Sequence, residues 1–272
     1  MRWTFTRDVE EFAAVVEPWL LRDPVRNTVS LTVLRGLHAG QYAEDPLMGW
    51  FEDDDGSVAG VVVHTPPYPL RIGDVPSPAL SLLVRELIEM ERVVGAVGGP
   101  LNAAEAFARD WWRPERHRSV ERLYRLGALA PCAVPGKART ATIGELDKAA
   151  QWFREFQAEA DVDVGADPTP VASAKINRAE LLWWEDGGRC VALAAASTPI
   201  AGMSRIGPVY TPPEFRRHGY GSAVTHAASR KVMDEGAAEV LLFADLANPS
   251  SNSVYWKLGF LPVADHATIH FA

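Results

Sequence analysis

Cysteine is scarce in this chain: Cys132 and Cys190 are the only two among 272 residues, and both stand in apolar surroundings. Two isolated thiols exclude the disulfide framework of a small secreted domain and fit a reducing compartment. Long apolar runs are missing as well. No stretch approaches the length that spans a bilayer, and the start, Met1-Arg2-Trp3-Thr4-Phe5-Thr6-Arg7-Asp8, has no apolar leader segment. These absences predict a cytoplasmic protein with no membrane partner. Positive charge is the third shortage: a formal net charge of −8 gives no global attraction to nucleic acid or anionic lipid. What is present is apolar material, 47% of the residues, enough for two ordinary cores.

Placing Trp50-Phe51-Glu52-Asp53 over Trp183-Trp184-Glu185-Asp186 gives an offset of 133 and brings Thr65-Pro66 over Thr198-Pro199 without a gap, with seven of seventeen positions identical. An offset so near half the chain length predicts duplication of a whole domain. Two prolines and a glycine in Pro131-Cys132-Ala133-Val134-Pro135-Gly136 mark a boundary, giving domains 1–135 and 136–272.

The halves differ in one segment. Arg216-Arg217-His218-Gly219-Tyr220-Gly221-Ser222 stands between a strand expected over 205–210 and a helix expected over 220–235. Glycines lack Cβ, so successive backbone N–H groups can turn toward one anion while the helix N-terminus adds partial positive charge. At the matching offset the first half reads Leu83-Val84-Arg85-Glu86-Leu87-Ile88, inside an amphipathic helix expected over 78–90, with no Gly-x-Gly. Its later Gly98-Gly99-Pro100-Leu101-Asn102 segment has no tyrosine seven residues beyond Asn102. Phosphate binding is expected of the second half alone.

Within 136–272, Thr142-Ile143-Gly144-Glu145 has capping-box spacing and opens a helix running to about Ala160. A second helix is expected over 171–180. Strands follow over 181–184, 189–196 and 203–210, the first two joined by the turn Glu185-Asp186-Gly187-Gly188. After the cradle helix, ended by Gly236, come a buried strand over 239–245, a helix over 251–258 and a final strand to Phe271. This order is α+β with a mixed sheet.

Val209-Tyr210-Thr211-Pro212-Pro213-Glu214-Phe215 leads into the cradle, and Asn248-Pro249-Ser250-Ser251-Asn252-Ser253-Val254-Tyr255-Trp256-Lys257-Leu258-Gly259-Phe260 follows it after one helix and one strand. Three separated motifs in this order resemble the GCN5-related N-acetyltransferase (GNAT) superfamily, well over residues 139–272 and faintly before them. The resemblance implies two GNAT-like domains, each a mixed, mostly antiparallel sheet flanked by helices, the N-terminal one degenerate. It implies acetyl-CoA as co-substrate, no metal, and acetyl transfer to a primary amine of a small molecule or peptide by direct attack in a ternary complex. By position, Val209, Tyr210 and Thr211 face the pantetheine arm and thioester. Arg216, Arg217, His218, Gly219, Tyr220, Gly221 and Ser222 hold the pyrophosphate, and Asn248 and Ser251 complete the cofactor site. Tyr255 is the acid for the departing thiolate. The oligomeric state stays open between monomer and homodimer, and the acceptor and acyl length stay open too.

A phenol, with reference pKa near 10, is protonated at neutral pH and suits that acid role. For the base, Asp245 at a strand end is the leading candidate, with Glu185, Glu214 or a water chain as alternatives. Asp161, Asp163 and Asp167 would suit a cationic amine. Trp152, Trp183 and Trp184 fit either an acceptor pocket or core packing. The main rival is a non-catalytic acyl-CoA-binding or structural tandem protein. A dinucleotide-dependent oxidoreductase fails in detail, since its third glycine would be Val224 and only 27 residues follow Asp245. A metal site at His266 and His270 lacks a third ligand in a recognisable motif, and Cys190 has no histidine nearby in sequence.

Overall fold

One run of elements occurs twice along the chain. It is first β1 (Arg2–Thr6), α1 (Val9–Leu20), α2 (Thr28–His38), β2 (Leu47–Glu52), β3 (Val58–His64), β4 (Leu70–Ile72), α3 (Ser77–Glu89), β5 (Ala96–Pro100), α4 (Leu101–Asp110) and β6 (Glu115–Leu126). It returns as β7 (Lys137–Thr140), α5 (Leu146–Ala160), α6 (Thr169–Asn177), β8 (Leu181–Asp186), β9 (Arg189–Ala196), β10 (Met203–Tyr210), α7 (Tyr220–Asp234), β11 (Glu239–Asp245), α8 (Pro249–Leu258) and β12 (Phe260–Phe271). The computed structural model describes all residues except 43, 44, 163 and 164, so Asp163 of the expected acidic loop lies outside the described residues.

The chain divides into two units, Met1–Leu123 with Val263–Ala272, and Tyr124–Pro262. The dividing points therefore fall inside β6 and β12, whereas the sequence reading puts its single boundary at 135/136. The stretch between β6 and β7 interrupts regular structure but not packing: Gly127 N–H donates to the Gly259 carbonyl at 2.9 Å and Ala130 N–H to the Leu258 carbonyl at 3.1 Å.

In the first unit β1, β2, β3 and β4 pair antiparallel in chain order, β4 pairs parallel with β5, and β5 pairs antiparallel with His266–His270 of β12. Its core joins Phe51, Val62, Leu70 and Val97 of the sheet to Leu80, Leu83, Leu87 and Phe107 of α3 and α4.

In the second unit β7, β8, β9 and β10 are antiparallel in order and β10 is parallel to β11. Side chains alternate between the faces of these strands. Trp183, Leu193 and Ala195 enter a cluster with Trp152 and Phe153 of α5 and Ala172 and Ile176 of α6. Leu182, Ala192, Ala194 and Ala196 enter another with Val224, Ala228 and Val232 of α7 and Tyr255 and Leu258 of α8. Covering both faces explains why β9 reads as an unbroken apolar run after its first residue.

Two local expectations change. The short edge strand β7 precedes the first helix of the second run and was not expected; Lys-Ala-Arg-Thr shows no apolar alternation, and pairing with Leu182–Glu185 fixes it instead. The second helix begins at Thr169 and ends at Asn177 rather than spanning 171–180. Glu180 turns inward, where its carboxylate takes the Thr198 N–H at 2.9 Å and Arg178 at 3.0 Å.

Candidate functional site

β10 creates the site by leaving its neighbour. It is registered with β11 only from Met203↔Glu239 to Ile206↔Leu242, while against β9 its register shifts and resumes at Val209↔Ala194. Gly207-Pro208 occupies the shift, and proline has no N–H to give to a ladder. Val209, Tyr210 and Thr211 then edge a cleft of about 520 Å³ that also takes in the loop after β10 and the N-terminal turns of α7 and α8.

The loop has the form a backbone cradle needs. Arg217 adopts φ +64°, a left-handed conformation that costs a non-glycine residue roughly 1 kcal/mol or more, and Gly219 adopts φ +84° as the N-cap of α7. No side chain caps α7, which leaves its first N–H groups to a ligand or solvent. An added Cβ on Gly219 would stand 3.0 Å from Val134, in the segment between the two runs, whereas one on Gly221 would meet only the Thr211 hydroxyl at 3.4 Å. Arg216, Arg217, Gly219, Tyr220, Gly221 and Ser222 line the cleft. His218 does not line it; its ring stacks on Tyr220 at 5.6 Å. The Tyr220 hydroxyl donates to Asp186 at 2.5 Å, which raises its pKa.

At the second helix end, Asn248 caps α8 by accepting the Ser251 N–H at 3.1 Å. Asn248, Ser251 and Tyr255 all line the cleft. Tyr255 is buried with its ring edge-on to Phe260 at 6.1 Å, and burial pushes its phenol up to about 12. Asp245 is placed elsewhere. Its carboxylate accepts the Ala247 N–H at 2.8 Å and its carbonyl accepts from Asn248, closing the turn from β11 to α8, and it does not line the cleft. The other candidate bases fare no better: Glu185 pairs with Arg139 at 2.8 Å, and neither it nor exposed Glu214 lines the cleft. Nor do Asp161 and Asp167. Trp152 and Trp183 pack edge-to-face at 5.0 Å inside the core, and the Trp184 indole donates to the Pro135 carbonyl at 2.9 Å.

The sequence reading missed the contribution of α5. Phe156, Glu159 and Ala160 form one side of the cleft. Glu159 accepts from Arg216 Nη2 at 2.5 Å, while Arg216 Nε donates to the Thr211 carbonyl at 2.9 Å and the guanidinium lies 5.9 Å over the Tyr210 ring. Tyr210 packs on Trp152 and its pKa rises to about 12, through burial first and then through its hydrogen bond to Glu155. The one signal was the like-charged i,i+4 pair Glu155 and Glu159, which stand beside Phe156 in the last turns of α5.

The corresponding place in the first unit is filled. Leu70 and Arg71 of β4 are registered with Val97 and Gly98 of β5. A Cβ on Gly98 would strike the Arg71 guanidinium and one on Gly99 the Ile72 carbonyl. Helix α3 is entered from Pro76 with no glycine cradle, and the cavity beside Arg71 and Gly99 is about 30 Å³, room for a water or two.

A family model described as FR47-like protein matches residues 188–267. None of the curated proteins gives a significant match. Among solved structures, an acetyltransferase from the GNAT family from Colwellia psychrerythraea is 12% identical with a TM-score of 0.65, covering 100% of both chains. A GCN5-related N-acetyltransferase from Sphaerobacter thermophilus is 16% identical with a TM-score of 0.62 over 98% of this chain and 94% of that one. A tandem GNAT protein from the clavulanic acid biosynthesis pathway is 12% identical with a TM-score of 0.58 over 99% of this chain and 98% of the other. At these identities the likeness shows a shared fold alone: α+β, with a mixed, mostly antiparallel sheet flanked by helices.

Proposed function

We propose that the second unit binds acetyl-CoA in this cleft and passes its acetyl group to a primary amine, and that the first unit has no cofactor site of its own. One observation carries the reading. The uncapped start of α7, the start of α8 and the unpaired edge of β10 meet in a single cleft of about 520 Å³. Backbone donors and Arg217 would hold the pyrophosphate, and the edge at Val209–Thr211 would hold the pantetheine arm and polarise the thioester carbonyl.

In the reaction the amine lone pair forms a bond to the carbonyl carbon, the tetrahedral intermediate collapses, the C–S bond breaks and the thiolate departs. The amine proton leaves to solvent through water, since Asp245 closes a turn outside the cleft. Burial pushes the Tyr255 phenol up to about 12, well above a thiol's reference value, so the phenol keeps its proton. Its part is accordingly to donate a hydrogen bond to sulfur as negative charge develops there. The position of Asp245 also favours keeping a second reading, acyl-CoA binding without turnover.

Calorimetric titration with acetyl-CoA, CoA and NADH tests the proposal. Saturable binding of both CoA species at one site per chain, with no NADH binding, is the expected result; NADH binding alone, or no binding at all, overturns it. Screening polyamines, amino sugars and basic peptides for acetyl-CoA consumption then separates enzyme from binding protein.

A further inference from the structure

We infer that Glu159 is a built-in competitor for the cofactor's phosphates and that it sets the anion selectivity of the cleft. This rests on the cofactor reading above. Arg216 reaches away from the cradle, with Nη2 on Glu159 at 2.5 Å and Nε on the Thr211 carbonyl at 2.9 Å. Arg217, the neighbouring cation, is held out by its left-handed backbone and is exposed. Among the described residues, the loop therefore turns the Arg217 guanidinium to solvent while that of Arg216 is paired with a carboxylate of α5.

Such an arrangement discriminates by ligand charge. The Glu159 and Arg216 side chains are 52% and 39% exposed, so their pairing is weak enough to be exchanged. A diphosphate bridging the start of α7 and Arg217 also brings a second phosphate to Arg216 and replaces Glu159 there. A lone phosphate satisfied by the helix start and Arg217 has no charge left to compete for Arg216. Removing the Glu159 charge frees Arg216 for any anion, so affinity rises while selectivity falls.

The test compares the full-length protein with Glu159→Gln and Glu159→Ala by calorimetric titration of CoA, with and without inorganic phosphate as competitor, at about 0.15 M salt to screen distant charges. Glu214→Gln, which removes an exposed carboxylate near the loop that does not line the cleft, controls for net charge. An exposed pair is worth up to about fivefold in an equilibrium, so both Glu159 variants are expected to bind CoA about two- to fivefold more tightly. Inorganic phosphate should displace CoA from them at lower concentration than from the wild type. Equal or weaker CoA binding in both variants, or the same gain in Glu214→Gln, overturns the inference while leaving the cofactor reading intact. No CoA binding by any of the proteins overturns both.

Discussion

The two cradle glycines make opposite demands, and substituting each separates folding from binding. Gly219 adopts φ +84°, and an added Cβ there would approach Val134 to 3.0 Å. Forcing an L side chain into the left-handed region costs about 1–2 kcal/mol. Gly219→Ala is therefore expected to lower the melting temperature by roughly 2–6 °C, at a few degrees per kcal/mol for a chain of this size. Gly221 lies in the first turn of α7, where φ is not positive and its Cβ would meet only the Thr211 hydroxyl at 3.4 Å. Replacing a helical glycine with alanine gains about 0.5–1 kcal/mol, so Gly221→Ala should melt at or above the wild-type temperature. A larger side chain at the same position, in Gly221→Leu, projects into the cleft and hides the α7 N–H groups. Charge-assisted hydrogen bonds contribute about 1.5–3 kcal/mol each, so the loss of even one weakens CoA binding by about tenfold or more. Calorimetric melting and CoA titration on the three variants read both effects. Destabilisation by Gly221→Ala, a wild-type melting temperature for Gly219→Ala, or undiminished CoA affinity in Gly221→Leu would refute the reasoning.

Tyr255→Phe keeps the ring on Phe260 and removes only the donor; CoA affinity should stay within about twofold while single-turnover acetyl transfer falls by about tenfold or more, a drop that unchanged turnover would deny. Acid sensitivity should begin well above the carboxylate range. Burial, reinforced by Arg92 for His64 and by Arg71 and Arg26 for His266, holds both imidazoles neutral down to about 4. Between pH 6.5 and 4 the unfolded chain takes up protons that the folded chain refuses, so stability falls as pH drops through that window, by up to about 3 kcal/mol per histidine. Urea unfolding midpoints from pH 7 to 4.5 measure this, and a flat profile contradicts it. Residues 136–272 expressed alone should show no cooperative melt. That fragment lacks buried Tyr124 and Leu126, the 2.7 Å hydrogen bond from Tyr124 to Asn252 and the backbone bonds of Gly127 and Ala130, together several kcal/mol of the usual total. A sharp melt at the full-length temperature would show that those contacts are dispensable.

The repeat, most of the element order and the loop, strand-edge and helix-start residues that line the cleft were legible in the sequence, whereas β7 and the α5 side of the cleft were not. Local chemistry specifies the former: φ +84° favours glycine at 219, Asn248 caps the start of α8, and β9, covered on both faces, is apolar after its first residue. The capping box at Thr142 formed as its spacing indicated, with the Thr142 N–H on Glu145 at 2.9 Å. Which carboxylate faces the cleft, and where the units divide, depend on contacts between residues far apart in the chain. Asp245 and Glu159 are both carboxylates on regular elements, and nothing local distinguishes the one that closes a turn from the one that reaches Arg216 across 57 positions of chain. The last ten residues read as the end of the second half yet belong to the first unit, because hydrogen-bond partners for a strand are assigned by pairing at long range, as His266–His270 are with Ala96–Pro100. The phenol of Tyr255 likewise carries no sign of its raised pKa until packing buries it.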